Sequence, residues 1–204
     1  MENISIFCAD IGSVKRKKFG WASKLANNNV HSGSEIEDFA RYIAVEINSG
    51  VKVTIGFECP LFVPIREIPQ EINSSRIGEG NRSWSASAGA CSMATGLVEV
   101  IWVMNQLNNL LNFNPKIQFN WDDFLISDSI FIWEAFVTAS AKGNSHIDDA
   151  KMAINCFEKA LPNPFLANAI QKEEIFSIVG AAALRTGWSS DLKDLSKQCL
   201  VIKA

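Results

Sequence analysis

Histidine is scarce: the 204 residues include His31 and His146 alone. Two scattered imidazoles are too few to support a serine or cysteine nucleophile with a histidine base. Cysteine occurs five times (Cys8, Cys59, Cys91, Cys156, Cys199), always singly and never as Cys-x-x-Cys. An odd count without close pairs excludes a disulfide framework and a thiolate zinc site, and suits a reducing compartment. The Gly-x-x-x-x-Gly-Lys pattern is missing, which excludes nucleotide binding by that kind of phosphate loop. No unbroken apolar run approaches the ~20 residues needed to cross a bilayer. Met1-Glu2-Asn3 lacks the basic-then-apolar order of a secretory leader. A cytoplasmic protein without a membrane partner is therefore expected. Charge is sparse too: 20% of residues are charged, with a net charge of −3 and a pI near 5.5. That excludes whole-surface attraction to a polyanion, so any contact with nucleic acid must be local.

Apolar residues are plentiful. They make up 48% of the chain, with 13 Phe and 6 Trp, enough to fill one core. The length suits a single domain over 1–204. Ile4–Ala9 reads as a buried strand ending at Asp10, and Lys18–Leu25 as a second strand. Between them Lys15-Arg16-Lys17-Lys18 reads as a solvated hairpin tip, with phosphate contact as its other explanation. Val30-His31 starts a short third strand. Ser34 is placed to cap a helix carrying Ile36, Phe39, Ala40, Ile43, Ala44 and Ile47 at helical spacing, with Glu35, Glu37 and Asp38 in its first turn. Val51–Phe57 is a further buried strand, stopping at Glu58. A loop-rich insertion then runs over about 61–90, punctuated by proline and glycine; loops of that length are often functional. Helices are predicted over Cys91–Leu111, His146–Leu161 and Glu173–Thr186, and strands over Lys116–Phe119, Ser129–Phe136 and Cys199–Ile202. The order predicts an α/β fold: a mixed sheet of about five strands with helices on both faces.

Two buried strands each end in a carboxylate, Asp10 and Glu58. If those strands are parallel neighbours, both acids emerge at one sheet edge, where ligands of open α/β sheets bind. Glu134, near the end of the 129–136 strand, is a third candidate, and Asp149 can approach from the following helix; Asp148 and Asp149 also suit the helix dipole. Clustered carboxylates repel unless a cation or proton lies among them. Oxygen-only ligation suits Mg²⁺ or Mn²⁺, and such ions support phosphodiester hydrolysis. Within the insertion, Arg66, Arg76 and Arg82 are candidate phosphate-positioning groups and Trp84 a candidate base-stacking ring. The alternative is a helix-entry loop that Arg66 and Arg82 tie down.

Three segments carry a resemblance: Phe7-Cys-Ala-Asp-Ile-Gly-Ser13 with Phe19-Gly-Trp-Ala22, Val53-Thr-Ile-Gly-Phe-Glu-Cys-Pro-Leu61, and Ile132-Trp-Glu134. Together they resemble a family of predicted ribonuclease H-like nucleases. The resemblance implies a ribonuclease H-like fold, Asp10, Glu58 and Glu134 as the Mg²⁺- or Mn²⁺-binding acids, and nucleic acid as substrate. The chain departs from the pattern in three places. Glu58 stands where Asp is usual, Glu134 is followed by Ala135-Phe136 instead of His-Pro, and the last predicted helix offers acids only as Glu173 and Glu174. A non-catalytic module of the same fold, binding nucleic acid or a protein partner, is the alternative expectation.

Overall fold

The computed structural model describes residues 4–80, 83–138 and 141–204. Its centre is a mixed sheet of seven strands. Strands β1 (Ile4–Asp10), β2 (Gly20–Lys24) and β3 (Val30–Gly33) form an antiparallel meander. Helix α1 (Ile36–Asn48) then leads back to β4 (Lys52–Glu58), which lies parallel to β1 on its other side. After the short strand β5 (Phe62–Pro64) and the long helix α2 (Ser87–Leu110) come β6 (Ile117–Gln118), α3 (Trp121–Ile126) and β7 (Ile130–Phe136). Strand β7 is parallel to β4. The remaining elements are α4 (His146–Ala160), β8 (Ile175–Ser177), α5 (Ile178–Thr186) and β9 (Leu200–Lys203). Both β6 and β9 pair with the free side of β7, β6 at its start and β9 at its end. The seven strands exceed the five or so expected because these two short segments share one edge. A separate two-stranded sheet joins β5 to β8.

Strand alternation divides the apolar residues between two cores. Phe7, Ala9, Ile55, Phe57 and Ile132 face one side and pack under Phe39 and Ile43 of α1, Val103 and Leu107 of α2, and Val179 and Ala183 of α5. Ile6, Cys8, Phe131, Trp133 and Ala135 face the other, under Trp121 and Phe124 of α3 and Ala150, Ile154 and Phe157 of α4. Helix α2 is long and apolar enough by composition to span a bilayer, with a mean hydropathy of 1.4. In this fold its Val100, Val103, Met104 and Leu107 are buried against the sheet.

Several sequence expectations need correcting. Helix α1 starts at Ile36 with Glu35 in the cap position and no side-chain cap, so Ser34 falls one residue short of that role. The basic run does sit, exposed, at the tip of the antiparallel β1–β2 hairpin, where a 3₁₀ turn over Val14–Arg16 shapes the connection. Helix α2 starts four residues before Cys91, inside the 61–90 segment, which also contains β5. The helix predicted over Glu173–Thr186 is a strand followed by a shorter helix. Ile175–Ser177 pairs with Phe62–Pro64, and the Ser177 hydroxyl caps α5 by accepting from the Gly180 N–H at 3.1 Å. Helix α3 was unexpected, although Asn120 caps it from the Asp123 N–H at 3.0 Å and Asp122 and Asp123 fill its first turn.

One contact between neighbouring strands of the sheet is close. A Cβ placed on Gly56 of β4 would lie 2.4 Å from the Trp133 ring, so the indole of β7 lies flat over this position. Gly56→Ala is therefore expected to cost about 1–3 kcal/mol through overpacking. Denaturant unfolding measures this, and an unchanged midpoint would show that Trp133 has room to move.

Candidate metal centre

The β1–β4 register sets Asp10 directly opposite Glu58 at the carboxyl ends of two parallel strands. Both residues have the parity of Ile6, Cys8 and Gly56, so they share the face covered by α4. Helix α4 supplies the third acid. Ser145 caps this helix by accepting from the Asp148 N–H at 3.2 Å, and Asp148 in turn accepts from the Ser145 hydroxyl. Asp149, one residue on, lies on the buried stripe of α4 with Ala150, Ala153, Ile154 and Phe157. Gly20, paired with Asp10, lets α4 begin close to the sheet: a Cβ there would lie 2.5 Å from that of His146. Asp10, Glu58 and Asp149 each offer a carboxylate oxygen, and these atoms all lie within 4.8 Å of one another.

Asp10 and Asp149 are each only 4% exposed. The Glu58 Oε2 atom is buried without a hydrogen-bond partner. Burial pushes the Glu58 carboxyl well above the usual carboxylate range, and the charges of Asp10 and Asp149 push it further, against the pull of Lys142. Asp10 is raised as well, chiefly by burial and then by Asp149 and Glu99, with Lys142 opposing. Three acids, one orphaned oxygen and raised proton affinities describe a site that lacks positive charge. The chain supplies part of that charge itself. Lys142 Nζ lies 3.4 Å from Glu58 Oε1 and 3.3 Å from Asp149 Oδ2. His146 Nδ1 is hydrogen-bonded to Asp10 Oδ2. Asp149 also accepts from the Gly143 N–H at 2.6 Å. The donor set is all oxygen, which fits Mg²⁺ or Mn²⁺.

Glu134 does not join this cluster. It pairs with Phe57, one residue short of Glu58, so its side chain leaves the opposite face of the sheet. There it accepts from Arg76 Nη1 and Nη2 at 2.8 and 2.7 Å and from the Leu61 N–H at 2.9 Å. The same guanidinium is bonded to Glu79. The metal expectation for Glu134 is thus replaced by Asp149, and Arg76 is a buried counter-ion instead of a free phosphate ligand. Its proton affinity is raised despite burial, because Glu134 and Glu79 outweigh the loss of solvent. Arg66 is likewise committed, to Glu173 at 2.5 Å and to Ser74 and Ser75. Trp84 donates to the Ser74 carbonyl at 2.9 Å. Arg82 lies outside the described residues. The 61–90 segment is therefore tied down, as its helix-entry alternative required, and Arg66 is one of the ties.

A cleft of about 550 Å³ opens over the cluster. Asp10, Glu58, Lys142 and His146 line it together with Trp84, the first turns of α2 and the Arg76, Glu79 and Glu134 network. His146 has its proton affinity lowered, by burial first and then by Lys142 and Lys18. Sequence reasoning passed over Lys142, His146 and Glu99. His146 had a faint signal, since it precedes Asp149 by three residues on one helical face. Glu99 is the one charged residue of α2 and is buried, with its proton affinity raised to about 7 by burial against a bond from the Gly12 backbone. Comparison with protein-family models, curated proteins and solved structures gives no match to this chain.

Two predictions follow from these charges. Asp10, Glu58 and Glu99 all hold protons more tightly in the folded chain than in the unfolded one. Their contribution to stability is complete below the ordinary carboxylate range, about pH 4, and is lost as pH rises through the raised values. Metal-free protein is therefore expected to lose stability from about pH 5 to about pH 9, where the Glu58 carboxyl, pushed up to about 9, gives up its proton, and Asp10→Asn to flatten the lower part of that slope; unfolding curves at stepped pH decide it. Separately, Arg76→Met leaves Glu134 and Glu79 buried without their cation, an expected loss of about 3–5 kcal/mol. A loss below 1 kcal/mol in the same assay would mean that the two acids take up protons at little cost.

Proposed function

We propose that this chain is a metal-dependent phosphodiesterase of ribonuclease H-like type that acts on nucleic acid, with Asp10, Glu58 and Asp149 holding Mg²⁺ or Mn²⁺. One observation carries the reading: three buried carboxylates, one with an orphaned oxygen, converge at the carboxyl ends of adjacent parallel strands beneath an open cleft. The antiparallel meander, the helix and the parallel return strand agree with the order that the sequence resemblance implies. A divalent ion held by these acids supplies Lewis acidity for phosphodiester hydrolysis. The protein's own groups do the rest. Asp10 fixes the His146 ring through Nδ1, which leaves Nε2 as the proton acceptor of the neutral imidazole. Lys142, on the cleft wall, supplies a cation for a phosphate oxygen. Buried free thiols at Cys8, Cys59 and Cys199 support a cytoplasmic setting.

The second reading, a non-catalytic module, has one observation in its favour. Lys142 and His146 already contact all three acids, so the cluster is partly neutralised from within. A titration of Mn²⁺ separates the two. The phosphodiesterase reading expects binding to the wild type, weakened in Asp10→Asn, Glu58→Gln and Asp149→Asn by at least the roughly 10–100-fold that loss of an outer-shell partner costs. Chelation with EDTA should abolish turnover of bis(para-nitrophenyl) phosphate. Absence of Mn²⁺ binding, with and without an oligonucleotide, would leave the module.

A further inference from the structure

The turn between β1 and β2 carries four consecutive cations, Lys15, Arg16, Lys17 and Lys18, all exposed. Among the described residues none of the four has an ion-pair partner. In a chain of net charge −3 this is a local concentration of one sign. Its place in the fold is set by the strands that hold it. Strand β1 ends at Asp10, the turn begins at Ser13, and the Asp10–Gly20 pair closes its base. Lys18 lies near enough to His146 to act on its charge. Gly20, two residues after Lys18, packs against His146 at the start of α4, so the turn leaves the sheet at the edge where Asp10 and Glu58 end their strands.

The turn is also closed by its own backbone hydrogen bonds. The Arg16 and Lys18 N–H groups both donate to the Ser13 carbonyl at 3.0 Å, and the Lys17 N–H donates to that of Val14 at 2.9 Å. Lys17 takes the left-handed conformation, with φ 55° and ψ 42°. Glycine adopts that conformation without the Cβ clash that a lysine carries. Side-by-side repulsion between like charges adds to the strain. Closing the 3₁₀ turn accounts for the left-handed backbone but not for the choice of lysine, whose unpaired charge an external polyanion would meet.

We propose that this turn is the docking track for the phosphate backbone of a nucleic-acid strand, holding the phosphates that flank the one at the acid cluster. The inference rests on the phosphodiesterase reading for its substrate and adds the surface that grips it. It also reconciles an acidic protein with a polyanionic ligand, because the attraction comes from one short segment. Phosphate contacts of this kind are independent of sequence, and each lowers affinity with rising salt by a slope near 0.7 for a single strand and 0.9 for a duplex.

The test measures binding of a labelled DNA single strand and of its duplex by fluorescence anisotropy across a salt series, without divalent metal so that no strand is cut. The variant is Lys15→Gln with Arg16→Gln and Lys17→Gly, leaving Lys18 in place. Its dissociation constant should rise at least tenfold, and its salt slope should fall by about two to three. An affinity within twofold of wild type with an unchanged slope overturns the proposal. Lys17→Gly alone should weaken binding while melting no lower than wild type, which separates a lost contact from a lost fold. Wild-type turnover of bis(para-nitrophenyl) phosphate in Mn²⁺ reports on the acid cluster by itself. Strand binding through the turn without such turnover would sink the phosphodiesterase reading and leave the track. Turnover with undiminished strand binding in the triple variant would do the reverse.

Discussion

The parallel pairing of β1 with β4 governs what the rest of this molecule can do. In a sheet, residues that face each other across a ladder share a side, and those one step apart do not. The Asp10–Glu58 register therefore decides that two acids meet, which face they occupy, and which helix must cover them. Helix α4 meets that demand with Asp149 on its inner stripe and His146 one turn earlier. Every charged group at the site then answers to the same fact, that carboxylates are crowded where water is scarce.

The opposite face meets a similar demand differently. Glu134 is as buried as Asp10, yet it is bound by a guanidinium that a second acid, Glu79, also grips. This network is closed: its hydrogen bonds are made within the chain, and it joins the 61–90 segment to the end of β7. The α4 face keeps an orphaned oxygen and a half-exposed lysine instead. Closed and open charge clusters thus leave opposite faces of one sheet and line the same cleft at its edge. The open one stores electrostatic strain, a common property of sites that wait for a ligand.

Much of this was readable before the fold was known, and the failures have identifiable causes. Asp10 and Glu58 stood out because buried apolar runs end at them, and the run boundaries are accurate to a residue. Glu134 stood out for the same reason, but a strand end reveals an edge without revealing a face. Only the one-residue offset between Phe57 and Glu58 does that, and offset is a property of pairing. Asp149 was visible as part of an acidic first turn, a feature that helix dipoles explain equally well; its burial follows from the spacing of Ala150, Ala153 and Phe157. Arg76 looked like a surface cation because nothing local distinguishes a buried arginine whose partners lie 3 and 58 residues away. Glu173 was assigned to a helix because Ile175–Ser177 continues the apolar pattern of α5, and only its pairing with Phe62–Pro64 makes it a strand.

The Arg76–Glu134 pair has a consequence beyond charge balance. Sliding β7 by one residue along β4 would carry Glu134 through to the α4 face, add a fourth carboxylate to the cluster, and strand the guanidinium among apolar side chains. The ion pair thus serves as a locating pin: it fixes the frame in which β7 is read, and so keeps the opposite face at three acids.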